Sequence, residues 1–243
     1  MASEKKTVLV TGSSRGIGFE IARKFASAGN NVIINGREDS GQLKKAVMLL
    51  SEYNVTGFLA DFSDYDKACE VFAEAKKIYG SVDILINNAG MAHFGLFSEM
   101  TTDEMELIMR HNFTNTLNAT HLAIPDMVSA KKGVIINISS VWGNTGASCE
   151  AVYAAAKGAV NAFTKSLAQE LGPSGVRVCA VACGAVETRM NARLSCDERA
   201  EFAEKIPLMR FGTAKEVADL VFFIASDKAS YLTGCIIEQS GGL

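Results

Sequence analysis

Tyr153-Ala154-Ala155-Ala156-Lys157 puts a phenol and an ammonium four residues apart, and on a helix that spacing brings both to one face. A positive charge beside a tyrosine favours phenolate and draws its pKa toward the range of a general acid or base. Just upstream stands the hydroxyl pair Ser139-Ser140. Tyr-x-x-x-Lys alone also occurs on ordinary amphipathic helices. Its weight here comes from a second feature, the glycine-rich stretch Thr11-Gly12-Ser13-Ser14-Arg15-Gly16-Ile17-Gly18 that follows the first apolar run.

Gly12, Gly16 and Gly18 fall where a strand should turn into a helix. Glycine there permits a tight turn and lets backbone N–H groups approach a pyrophosphate at the positive helix end. The spacing is Gly-x-x-x-Gly-x-Gly rather than the commoner Gly-x-Gly-x-x-Gly. On the next strand, where an acid would bind a ribose 2′-hydroxyl, the chain has Gly36 followed by Arg37. Arg15 projects from the turn toward the same region. Two guanidinium groups without a carboxylate suit a 2′-phosphate, so the expected cofactor is NADP(H). In the alternative, Arg37 is a solvated loop charge and Glu38 or Asp39 takes the acidic role.

The elements that must position these groups alternate along the chain. Strands are expected at Thr7–Thr11, Asn31–Asn35, Thr56–Ala60, Val82–Asn87, Gly133–Ile138, Val176–Ala182 and Cys235–Glu238. Helices are expected at Gly16–Ala28, Gly41–Tyr53, Tyr65–Tyr79, Val152–Leu171 and Ala214–Ala225, with an interrupted helical region over Thr102–Ala130. This alternation predicts an α/β fold of Rossmann-like, doubly wound type, a parallel sheet with helices on both faces. With only three prolines and no low-complexity linker, the 243 residues are expected to form one domain.

Hydrophobic residues make up 48% of the chain, enough for a large core, and the net charge of −3 offers no general attraction to nucleic acid or anionic membrane. No stretch reaches the roughly 18 consecutive apolar residues of a membrane span. Met1–Lys6 has no apolar signal-peptide core, so a cytoplasmic location is expected. The six cysteines include no C-x-x-C pair and the three histidines are scattered, which predicts free thiols and no metal site. Cys179 and Cys183 share parity on their strand and should face one side, as buried thiols.

Taken together, Thr11–Gly18, Asp61, Asn87-Asn88-Ala89-Gly90, Asn112, Ser140, Tyr153-x-x-x-Lys157 and Gly241-Gly242 resemble the classical short-chain dehydrogenase/reductases over nearly the whole chain. The likeness is greatest to the 3-oxoacyl-[acyl-carrier-protein] reductases, especially across Tyr153–Leu171 and Pro207–Gly234. The resemblance implies a catalytic set of Asn112, Ser140, Tyr153 and Lys157. Ser140 would hold a substrate carbonyl oxygen, Tyr153 would deliver the proton to it, and Lys157 would bind the nicotinamide ribose and tune Tyr153. Asn112 would kink its helix and lead a water toward Lys157. Asp61 would bind adenine, and Asn88-Ala89-Gly90 would pass beside the ribose. Ser14, Ile17, Phe62, Gly184, Val186 and Thr188 complete the implied cofactor contacts. Ser139 competes with Ser140, whose separation from Tyr153 matches the family.

Departures from the family pattern bear on substrate. Cys183-Gly184 stands where proline-glycine is usual, which places a thiol near the nicotinamide pocket, and Gln239-Ser240 replaces valine-aspartate before Gly241-Gly242. Lys131 and Lys132 could supply part of a basic docking surface for acyl carrier protein, but Ser174 occupies a second expected basic position. Met91, His93, Phe94, Phe97, Trp142, Met190 and Leu194 offer an apolar substrate pocket, or simply pack its lid. The charged helical segment Met190–Ile206 reads as a movable flap. The expected activity is NADPH-dependent reduction of a ketone, with a 3-oxoacyl thioester favoured. A hydroxysteroid, sugar, polyol or other small ketone is the alternative, and a non-catalytic NADPH-binding regulator is a second. A homotetramer packed through the Thr102–Ala130 and Val152–Leu171 helices is implied by resemblance.

Overall fold

The computed structural model describes residues 5–38, 41–189 and 194–243. Asp39, Met190 and the first part of the expected flap lie outside these residues. Strands β1 (Thr7–Val10), β2 (Asn31–Gly36), β3 (Val55–Leu59), β4 (Ile84–Asn87), β5 (Gly133–Ser140), β6 (Val176–Cys183) and β7 (Ile236–Gln239) form one sheet. Their order is β3-β2-β1-β4-β5-β6-β7, every pair parallel.

Central strands of a parallel sheet are covered on both faces and read as continuous apolar runs, as Val8-Leu9-Val10 does. Successive side chains point to opposite faces. Val8 and Val10 therefore join one core with Ile21 and Phe25 of helix α1 (Gly16–Ser27) and Val217 and Val221 of α9 (Ala214–Ala225). Leu9 joins the other core, with Val71 of α3 (Tyr65–Tyr79), Ala119 of α5 (Asn115–Ala130) and Leu167 of α7 (Ala151–Leu171). Cys179 and Cys183 lie with Val181 in the first core, in keeping with their shared parity. The chain reverses direction across the sheet between β1 and β4, and ligands of open α/β sheets bind outside the strand carboxyl ends at such a point.

Short polar signals start several helices. Asp64 caps α3 through the amides of Asp66 and Lys67, and Thr101 with Glu104 and Thr213 with Glu216 form capping boxes at α4 (Thr102–Met109) and α9. The remaining described α-helices are α2 (Gln42–Leu49), α6 (Trp142–Thr145) and α8 (Cys196–Glu204).

Differences from expectation sit near the strand carboxyl ends. The interruption of the Thr102–Ala130 region is a π turn, Arg110–Thr114, whereas Pro125 lies within α5 without ending it. Strand β5 runs two residues beyond Ile138, because Ser139 and Ser140 still pair with Ala182 and Cys183. Helix α6 has no counterpart in the sequence reading; its four residues are too few to show a periodicity.

Candidate active site

Ser140 ends β5, Tyr153 and Lys157 lie in the first two turns of α7, and Asn112 lies in the π turn. The structure brings all four together, and all are buried. The Tyr153 hydroxyl lies close enough to Ser140 for the serine to lower its pKa, and Ser140 Oγ accepts from the Trp142 amide at 3.2 Å. Lys157 Nζ stands 5.7 Å from the Tyr153 ring centroid and donates to the Ile138 carbonyl at 2.9 Å. Ser139 is engaged elsewhere, donating to the Lys157 carbonyl at 3.3 Å. It braces α7 against β5.

The electrostatics differ from the simple expectation of a tyrosine made acidic by its lysine. Burial pushes the Tyr153 phenol well above its usual range; the Ser140 hydrogen bond opposes this, while Cys183 and Glu150 add to it. Desolvation thus outweighs the attraction expected from Lys157, and Tyr153 carries its proton at neutral pH. Burial lowers Lys157 to about 8, with Cys183 a small opposing influence. The Cys183 thiol is pushed up to about 12 by burial, against a weaker pull from Lys157. It is protonated near neutrality, which makes it a poor nucleophile. Asn112 donates to the Met91 carbonyl at 2.8 Å and the Ile108 carbonyl at 2.9 Å, and accepts from the Met91 amide at 3.2 Å.

The glycine turn and the loop after β4 interlock. A Cβ on Gly12 would lie 2.7 Å from the Ala89 Cα, and one on Gly18 only 2.4 Å from Asn88 Nδ2. These two glycines therefore serve close packing. Gly16, at φ +59°, has only Thr188 Cγ2 within reach, at 3.8 Å, so its backbone is the open part of the turn. Helix α1 begins after Arg15 with no side-chain cap and no acid in its first turn, which leaves N–H groups for an anion. Asn88 uses its amide on the carbonyls of Thr11 and Gly12, at 2.9 and 3.0 Å.

At the adenosine end, Arg15 donates to Gln42 at 2.7 Å and Arg37 pairs with Glu38 at 2.6 Å. Burial opposes the Asp61 charge, but hydrogen bonds from the Ser63 amide and hydroxyl, with His111 and Arg37 nearby, hold its pKa below the usual carboxylate value. The Phe62 ring is buried in the core 6.3 Å from that of Phe72, so a cofactor contact at this position would be made by its backbone. Ile17 packs on the opposite core, and Ser14 is half-buried in the turn. Gly184 abuts Ser240, where a Cβ would lie 2.7 Å from Cα, and Val186 bridges to Gly212.

Sequence reasoning passed over the polar residues that shape these loops. Thr11 Oγ1 accepts from the amides of Asn88 and Ala89, both at 3.0 Å, and Asn35 Oδ1 accepts from the Gly12 amide at 3.2 Å. Their signal was a polar residue ending an apolar strand run. Among the expected pocket residues, Phe94 and Phe97 are largely exposed. The loop that carries them is tied to the start of α7 by the Gly95 amide, which donates to the Cys149 carbonyl at 2.9 Å.

Among the described residues no helix is long and apolar enough to cross a membrane. Residues 6–199 match the family described as short chain dehydrogenase. A 3-oxoacyl-[acyl-carrier-protein] reductase of Aquifex aeolicus is 42% identical over 242 residues, covering 98% of this chain and 97% of that protein. An uncharacterized oxidoreductase of Bacillus subtilis is 37% identical, covering 98% of each. Among solved structures, a 3-oxoacyl-[acyl-carrier protein] reductase from Brucella melitensis superposes with a TM-score of 0.93 at 33% identity, covering 100% of this chain and 92% of that one. A putative gluconate dehydrogenase from Agrobacterium tumefaciens also reaches 0.93, at 29% identity, covering 98% and 95%. With fold, site arrangement and relatives in agreement, this chain belongs to the short chain dehydrogenase family and is an oxidoreductase of the nicotinamide-dependent kind.

Proposed function

We propose that the chain is an NADP(H)-dependent carbonyl reductase whose favoured substrate is a 3-oxoacyl thioester. The observation that carries the reading is a buried tyrosine beside Ser140 and one helical turn from a buried lysine, whose Nζ stands 5.7 Å from the phenol ring centroid. The uncapped start of α1 fits an anionic cofactor. In this reading that helix end and Gly16 hold the pyrophosphate, while Arg15 and Arg37 hold a 2′-phosphate. Asp61 and Asn88-Ala89-Gly90 line the adenosine, and Gly184, Val186 and Thr188 the nicotinamide side. Lys157 holds the ribose hydroxyls.

The bound nicotinamide supplies the hydride. Ser140 Oγ and Tyr153 Oη both hold the carbonyl oxygen, and Tyr153 passes its proton there as negative charge develops. Lys157 returns a proton to Tyr153, and Asn112 shapes the helix so that a water can link Lys157 to solvent. The names of the reductase relatives from Aquifex aeolicus and Brucella melitensis support the thioester. The gluconate dehydrogenase neighbour supports a sugar acid as second reading. A homotetramer packed through α4, α5 and α7, cytoplasmic location and docking of acyl carrier protein near Lys131 and Lys132 belong to the same proposal.

The test follows nicotinamide absorbance with acetoacetyl thioesters of coenzyme A and acyl carrier protein, beside sugar-acid, steroid and aromatic ketones, with NADPH and then NADH. Fast thioester turnover with NADPH is expected. Turnover of another ketone alone would move the substrate. Silence throughout, despite tight NADPH binding, would favour a regulator.

A further inference from the structure

Two asparagines, three residues apart, bond alike. The Asn112 amide reaches four residues back to the Ile108 carbonyl and across to that of Met91. Asn115 Nδ2 likewise reaches four residues back, to the His111 carbonyl at 2.6 Å, and across to the Ala89 carbonyl at 3.2 Å. Its Oδ1 accepts from the Thr116 hydroxyl at 3.2 Å, and the residue is 5% exposed. The pair thus grips the loop on both sides of Gly90. That glycine has no room to spare, since a Cβ there would lie 2.7 Å from Asn112 Oδ1 and 3.5 Å from Lys157 Nζ.

The π turn explains why an asparagine is needed at 115. The Asn115 backbone N–H reaches five residues back, to the Arg110 carbonyl. In an α-helix it would have served His111. The skipped carbonyl is instead taken by the side chain of the same residue, so both amide hydrogens of Asn115 are spent on carbonyls, the buried one of His111 and the half-buried one of Ala89. A buried carbonyl left without a donor is costly.

We propose that Asn115 is a positioning residue: by satisfying the His111 and Ala89 carbonyls it holds the π turn and residues 89–91 at the spacing that sets Asn112 and Gly90 against Lys157. The effect on cofactor binding and turnover rests on the functional reading above; the effect on the loop does not.

The test compares wild type with N115A and N115D by hydrogen exchange over residues 89–91 and 110–114, cofactor titration by fluorescence, and thermal melting. N115A should exchange faster in both segments and bind cofactor about tenfold more weakly, as expected for a lost donor to a buried carbonyl. N115D keeps the shape, but an ionised carboxylate only accepts, so it should bind more weakly than N115A and recover as falling pH restores an O–H donor. A space-filling role predicts the reverse order and no such recovery. If N115D does not fold, N115S, which keeps one donor, must fall between wild type and N115A. Wild-type exchange and affinity in N115A, or a change in melting alone, would overturn the proposal. Faster exchange in N115A beside a wild type that binds no nicotinamide cofactor would instead uphold Asn115 and overturn the reductase reading.

Discussion

The two ends of the expected cofactor site are built differently. At the reaction end Asn112, Ser140, Tyr153 and Lys157 are all at most 9% exposed, and Asn112, Ser140 and Lys157 are held by hydrogen bonds to backbone groups. At the adenosine end Arg15 and Arg37 are exposed and already occupied, one by Gln42 and the other by Glu38. Burial makes proton affinity a property of position: the phenol rises, the ammonium falls, and both shifts stem first from lost solvent. Exposed guanidinium groups keep their charge but lose reach to salt. In the proposed reading the reaction end is fitted to chemistry, and the adenosine end to discriminating between cofactors.

The sharpest way to break this division is Y153F. It should lower kcat by about a thousandfold, in the range of a lost general acid, with cofactor affinity unchanged by titration. Comparable turnover would remove Tyr153 from the chemistry. Next in size, S140A should cost about a hundredfold in kcat, as for a lost oxyanion donor. S139A, which loses only a brace to α7, should keep kcat within about twofold and lower stability by about 1 kcal/mol. Equal losses in the two steady-state assays would erase the distinction between the serines.

At the adenosine end, R37A should weaken NADPH binding about tenfold through loss of a charge-assisted contact, leave NADH alone, and matter less as salt rises. A matching loss with NADH would mean that Arg37 does not read the 2′-phosphate. A last prediction concerns stability. Folded Lys157 titrates near 8 against 10.5 ordinarily, so in that window the unfolded chain holds the extra proton. Stability then rises with pH. Calorimetric melting should show wild type gaining on K157M between those values, and a constant gap would mean the lysine is not desolvated.

Much of this was legible because it is local. Tyr153 and Lys157 share a face at any helical spacing of four, and the glycine turn announces itself between an apolar run and a helical one. Other features escaped because they depend on neighbours far along the chain. The missing side chains of Gly12 and Gly18 also make room for Ala89 and Asn88, a packing role that the turn's spacing alone does not show. The Phe62 ring packs in the core beside that of Phe72, which the sequence pattern around Asp61 did not reveal. The break in the helix near Asn112 was expected, but its form, a π turn held by Asn112 and Asn115, depends on the carbonyls of Ala89 and Met91.

The sequence by itself determined the alternation of strands and helices, the parallel sheet they must form, and the residue types able to move a proton, because periodicity and spacing act within a few residues. Only the tertiary structure decided that Ser139 is taken up by the Lys157 carbonyl, and that the phenol's proton affinity rises rather than falls. Both depend on what surrounds a side chain once distant segments pack against it. Desolvation, which sets these proton affinities, has no local signature in the chain.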